Sequence, residues 1–212
     1  MSITPNTRRI ILASGSIYRK ELLSRLGIPF DVLIPDIDES AFVGELPQAT
    51  ALRLAEQKAR AIAILVPDAI IIGSDQVASL DGQAIGKPGN HANALAQLLR
   101  MRGKRVIFHT GLCVLHPASA TEAINTPQAP IIQLDDCQTA VLFRDLPEAQ
   151  LDAYLHKEQP YDCAGSAKNE GLGIAILEKI ESTDPTALTG LPMIALTAML
   201  RRVGVTFFGI GN

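Results

Sequence analysis

The chain has 212 residues, enough to fill one core and short for two ordinary domains. Its 47% hydrophobic and 19% charged residues describe a globular protein rather than a disordered one, and a net charge of −3 gives no general nucleic-acid footprint. The apolar run 10–13 is too short for a signal core or a membrane span, and no later stretch reaches the length of a span.

The sequence predicts a first strand over 8–13, then a helix over 16–27 with Ser16 as N-cap and Gly27 as its stop. A second strand over 30–35 precedes a long helix over 47–66, closed by Pro67. The continuous apolar run 69–72 predicts a strand buried on both faces that ends before Gly73, Ser74, Asp75 and Gln76. Asp81-Gly82 between "QVASL" and "QAIG" predicts a hairpin. A helix over 90–101 leads to two long strands, 105–116 and 131–143, joined by the polar loop 117–129. The rest reads as a helix over 147–157, a loop over 161–171, a strand over 172–180 and a last helix over 191–203 with Pro192 in its first turn. Alternating strands and helices predict an α/β fold with a mixed sheet and flanking helices, in two lobes around a cleft without a linker.

Three cysteines, Cys113, Cys137 and Cys163, are widely spaced and form no CxxC pair, which predicts reduced thiols in a cytosol. The four histidines form no i, i+4 ligand pair and read as surface or core residues.

Several residues fit a purely structural account badly. Arg19 and Lys20 occupy a first helical turn, where the helix dipole disfavours cations by tenths of a kcal/mol up to about 1. An anion would reverse that cost, and the small residues Ser14, Gly15 and Ser16 leave room for one; phosphate is the usual choice. Two exposed basic side chains are the plainer alternative. Lys58 falls inside the apolar arc of its helix, so it either snorkels out or meets an anion in a cleft. "DIDES" gathers Asp36, Asp38 and Glu39 after a strand, suited to Mg²⁺ or to a solvated acidic loop. Asp75 follows a buried strand, so its ionised form needs a cation, and Lys87 in the Gly-Lys-Pro turn is a candidate. No phosphate-binding GxxxxGK[ST] loop, GxGxxG turn or GxSxG elbow occurs. Basic side chains together with carboxylates fit metal-assisted hydrolysis of a phosphoanhydride, without identifying the base.

The stretches "ILASGSIYRKELLSRLG", "DIDES", "AEQKA", "IIGSDQV", "GKP", "HTGL", "YDCAGSAKNEGLG" and "DPTALTGLP" appear in that order. In this the chain resembles the Maf-like nucleoside triphosphate pyrophosphatases, from about residue 10 to 202. The resemblance implies one domain over 1–212, related to the inosine triphosphatase fold, with two lobes around a deep cleft. It implies a cytoplasmic enzyme dependent on a divalent metal cation, Mg²⁺ or Mn²⁺, acting on a small nucleotide. No nucleic-acid or membrane partner is expected, and a homodimer is common in such enzymes. Carried onto this sequence, Asp75 is the proton acceptor; Ser14, Ser16, Arg19, Lys58 and Lys87 line the triphosphate; Glu39 helps hold the metal. Ile17 departs from the usual proline at the first turn, which loosens the loop without removing chemistry.

Tyr18, Gln76 and Glu170 make the chain similar to the branch that hydrolyses 7-methyl-GTP to 7-methyl-GMP and diphosphate. Tryptophan is usual where Tyr18 stands. The chemistry agrees: a cationic purine stacks on an aromatic face, worth about 0.5–2 kcal/mol, and Glu170 can accept from its adjacent N–H groups. The branch acting on dTTP and UTP, and a nucleotide-binding regulator without turnover, are the rival expectations.

Overall fold

The computed structural model describes residues 8–116 and 130–208; the expected loop 117–129 lies outside them. The isoleucine run at 70–72 is the centre of a seven-stranded mixed sheet of order β2-β1-β3-β5-β6-β7, with β4 paired to β3. Its elements are β1 (Ile10–Ala13), α1 (Ile17–Ser24), β2 (Asp31–Leu33), α2 (Pro47–Leu65), β3 (Ile70–Leu80), β4 (Gln83–Ile85), α3 (His91–Met101), β5 (Arg105–His116), β6 (Ile131–Phe143), α4 (Glu148–Glu158), β7 (Leu177–Ser182) and α5 (Met193–Arg202). The pairs β1–β2 and β1–β3 are parallel; all the others are antiparallel.

Period-two alternation along β1 and β3 divides their side chains between two faces. Ile11 and Ile71 pack with Ala55, Ala59 and Ile62 of α2. Leu12, Ile70 and Ile72 pack on the other side, with Leu22 and Leu23 of α1 and Leu196 and Leu200 of α5. A separate cluster under α3 and α4 joins Leu98, Met101, Phe108, Val141, Phe143 and Leu155. These cores form the two expected lobes, and the sheet runs through both.

Two strands differ from the sequence reading. The buried strand does not end at Ile72 but continues to Leu80, because β5 pairs with it residue by residue from Ile71 to Ser79. Gly73, Ser74, Asp75 and Gln76 are therefore strand residues. The expected strand 172–180 begins as a 3₁₀ turn, Leu172–Ile176, and is extended only from Leu177. The helices agree to within a few residues at their ends, although Pro192 is the N-cap of α5 rather than part of its first turn. No helix among the described residues is long and apolar enough to cross a membrane.

Both β1 and β4 pair with the same edge of β3. β1 takes Ile70–Gly73 and β4 takes Ala78–Leu80. Between them, Ser74 to Val77 have a strand neighbour only on the β5 side. The two lobes part there.

Helix α2 lies unusually close to this region. A Cβ on Gly73 would run into the carbonyl oxygen of Ala55, and one on Gly111 into the carbonyl oxygen of Ala51. Gly111 sits directly across the ladder from Asp75. Gly111→Ala is expected to push α2 off the sheet and cost about 1–3 kcal/mol, as overpacking does. Urea denaturation measures this; an unchanged midpoint would mean that α2 does not rest on the glycine.

Candidate active site

A cleft of about 760 Å³ opens over the free edge of β3. That is within the range of roughly 300–1,000 Å³ typical of small-ligand pockets. Ser14, Ser16, Tyr18, Arg19, Glu39, Lys58, Asp75, Gln76, Lys87 and Glu170 all line it. Lys20, Asp36 and Asp38 do not; they are exposed, and Asp38 instead accepts a bond from the Ser40 backbone N–H. Of the acidic run, only Glu39 reaches the cleft.

Lys58 is only 5% exposed and Asp75 8%. The ammonium donates to Asp75 Oδ1 at 2.6 Å and contacts Glu39 Oε1 at 2.7 Å. The partner of Asp75 is thus Lys58, where the sequence offered Lys87. Lys58 does meet an anion in a cleft, and in this structure the anions are carboxylates. Burial raises the Glu39 pKa, but bonding to Lys58 and the charges of Lys58, Lys87 and Arg19 outweigh it, and the net shift is downward.

Ser16 caps α1 by accepting from Arg19 N, and Ser14 Oγ accepts from Ser16 N at 3.1 Å. The loop before α1 is therefore set by its own serines. Arg19 Nε donates to Gly190 O at 2.8 Å and Nη1 to Ser14 Oγ at 3.4 Å. Burial pulls its pKa below the ordinary arginine value against the raising effect of Asp75 and Glu39; an arginine remains charged regardless.

Lys87 projects from a turn fixed to α3. Gln97 Nε2 donates to Gly86 O and Asn93 Nδ2 to Pro88 O, both at 3.0 Å. Gln76 Nε2 lies 3.0 Å from Thr110 Oγ1, Ala187 O and Leu188 O. Its two amide protons are used within the protein, leaving its carbonyl oxygen as the atom it can give a ligand.

The chain matches the family described as "Maf-like protein" over residues 9–203. It belongs to the Maf family. A "7-methyl-GTP pyrophosphatase" of Cupriavidus metallidurans is 60% identical over 200 residues, 94% of this chain and 96% of that protein. Proteins of the same name from Albidiferax ferrireducens and Burkholderia orbicola are 55% and 58% identical, over 97% and 94% of this chain and 98% and 92% of theirs. The solved structure of the Staphylococcus aureus Ham1 protein is 14% identical with a TM-score of 0.45, covering 65% of this chain and 73% of that one. At that level it carries no argument about this Maf chain.

Sequence reasoning missed the residues that hold this Maf cleft together. Ser74 Oγ, fully buried, reaches Gly111 O and Gly190 O, both at 2.9 Å. Gly190 has a φ of +110°, so glycine suits the turn that offers its carbonyl to both Ser74 and Arg19. Asp184 is buried; Oδ1 accepts from Thr186 N and Oγ1, and Oδ2 from Ile194 N in the first turn of α5. The motif "DPTALTGLP" is in this respect a brace. Lys168 lies over the Tyr18 ring, 5.5 Å from its centroid, and 3.2 Å from Glu158. Tyr18 and then Glu158 raise its pKa. Their signal in the sequence is weak, because serine and glycine are common in loops and a lone lysine reads as solvated.

Lys58→Met would leave Asp75 and Glu39 facing each other without their cation. The expected cost is about 3 kcal/mol at neutral pH. A lowered folded-state pKa means that Glu39 adds stability above its unfolded pKa, lost as pH falls through the folded value. The stability gap between wild type and Lys58→Met should therefore shrink in acid. Denaturation at neutral and acid pH measures it; a gap that widens in acid contradicts the pairing.

Proposed function

We propose that this chain hydrolyses 7-methyl-GTP to 7-methyl-GMP and diphosphate. The observation that carries the reading is one cleft holding a carboxylate–lysine pair, Asp75 and Lys58, together with an aromatic–acidic corner, Tyr18 and Glu170. The relatives' shared name supports it.

In this reading water attacks the α-phosphorus in line with the departing diphosphate, and Asp75 takes the proton. Arg19, Lys58 and Lys87 offset the charge on the leaving group. Ser14 and Ser16 set the loop against which the triphosphate lies. Glu39 and Asp75 both bond the Lys58 ammonium, and in this reading they also offer oxygens to a metal ion. That donor set fits Mg²⁺ or Mn²⁺, since such ions take one or two carboxylates and complete their shell with water and phosphate oxygens. Bound there, the ion would polarise the phosphoryl oxygens.

The corner that receives the base has the right sign. Glu158 balances Lys168, and Glu170 adds a further negative charge facing the cationic 7-methylguanine. Tyr18 supplies the stacking face and Gln76 a carbonyl. Free thiols at Cys113, Cys137 and Cys163 suit a cytoplasmic setting, and a homodimer belongs to the same reading.

Asp75→Asn should lower turnover by about 10²–10⁴ while nucleotide binding persists. Pyrophosphate release by the folded variant is the measure, and near-normal turnover removes Asp75 from its role. Base choice is read from kcat/KM across 7-methyl-GTP, GTP, UTP and dTTP, with and without Mg²⁺. Wild type should prefer 7-methyl-GTP, and Glu170→Gln should lose about 1–3 kcal/mol of that preference. Burial raises the Glu170 pKa, so the preference over GTP should also decline on acidification, beginning above the ordinary glutamate range. A wild-type preference for UTP or dTTP sinks the reading, and a nucleotide bound tightly without turnover would favour a regulator.

A further inference from the structure

Apart from the cleft, the fold gathers a second set of ligand atoms that no single stretch of sequence displays. His91 opens α3; Asp152 and His156 stand one turn apart on α4. His91 Nε2 lies 2.7 Å from Asp152 Oδ1, and His156 Nε2 lies 3.5 Å from Asp152 Oδ2. One ligand atom from each lies within 4.8 Å of the other two. We propose that His91, Asp152 and His156 bind a divalent transition metal that clips α3 to α4.

Tyr161 OH lies 3.0 Å from His91 Nδ1 and 3.4 Å from Leu155 O. In the tautomer whose Nδ1–H donates to the tyrosine oxygen, the Nε2 lone pair faces Asp152 Oδ1 at 2.7 Å, and that is the tautomer a bound metal would use. A ligand histidine characteristically has its other nitrogen held by a hydrogen-bonding partner, as Tyr161 holds Nδ1. The imidazole rings are 4.5 Å apart between centroids and tilted by 31°, and each brings its Nε2 to the Asp152 carboxylate.

Two nitrogens and one oxygen select differently from the cleft carboxylates. Imidazole suits Zn²⁺, Ni²⁺ or Cu²⁺, whereas Mg²⁺ prefers oxygen alone. Three protein ligands leave one position of a tetrahedral site for water. His156 is exposed, so a modest side-chain rotation would close the set.

The clip has a reach beyond the two helices. Asn93 and Gln97 of α3 hold the Gly86–Pro88 turn, and Gly89 N donates to Tyr161 O. Metal at His91 would therefore brace the turn that carries Lys87, without touching substrate.

Calorimetric titration of the full chain with Zn²⁺ in excess Mg²⁺, which occupies oxygen sites, tests this. Wild type should take up one Zn²⁺ per chain and melt at a higher temperature with it, since the metal binds the folded state. His156→Ala and Asp152→Asn should each abolish both effects, and His156→Ala should leave metal-free melting unchanged. No uptake by wild type overturns the proposal, as does uptake that persists undiminished in both folded variants. The latter result would place the Zn²⁺ elsewhere.

Discussion

The close seat of α2 on the sheet is the constraint on which the cleft depends. Glycine at 73 and 111 removes the two side chains that would hold the helix away from β3 and β5. Only with the helix that low does Lys58, from a face otherwise buried among alanine and leucine, bring its ammonium to Asp75 and Glu39. A buried lysine is costly unless paired. Here the pairing is made by the same carboxylates to which the proposed function assigns the metal, so on that reading the structural solution and the chemical one use the same atoms. Arg19 and Lys87 join Lys58 around the two carboxylates, an excess of positive charge that the proposed triphosphate would balance.

The second constraint is the unshared edge of β3. An unpaired edge usually invites another strand. In this fold β1 and β4 flank it, and the turn ending at Gly190 covers one face of it through Ser74 and Gln76, with a further bond from Thr110 of β5. That turn is itself fixed by Asp184 and Thr186, which also hold the start of α5. Three segments far apart in sequence thus converge on a few β3 residues, and the cleft between the lobes is the space they leave.

Much of this was legible in the sequence, for definable reasons. The apolar run at 70–72, the Asp81-Gly82 turn and the capping serine at 16 each carry a local signal with a local cause. Lys58 stood out because a 3.6-residue period placed a charge where none belonged. What was not legible is what pairing across the chain decides. β3 looked finished at Ile72 because Gly, Ser, Asp and Gln are poor strand formers; β5 overrides that preference with a continuous ladder. Lys87 looked like the partner of Asp75 because it is near in sequence, while the actual partner comes from the preceding helix. The turn before Gly190 gave little signal, since it holds Arg19, Ser74 and Gln76 through the backbone carbonyls of Ala187, Leu188 and Gly190.

Tyr18 and Arg19 are neighbours on α1, yet they serve opposite ends of the proposed substrate. Arg19 is fixed through Gly190 and Ser14, and Tyr18 is covered by Lys168. The angle between them is the step of about 100° between successive residues of a helix, so on the proposed reading a single turn would set the orientation of the base relative to the phosphates. The cap at Ser16 fixes that turn's first residue. On that proposal, loosening the turn would misplace both ends at once, whereas changing Glu170 on the late loop would alter base choice while leaving Arg19 where it is.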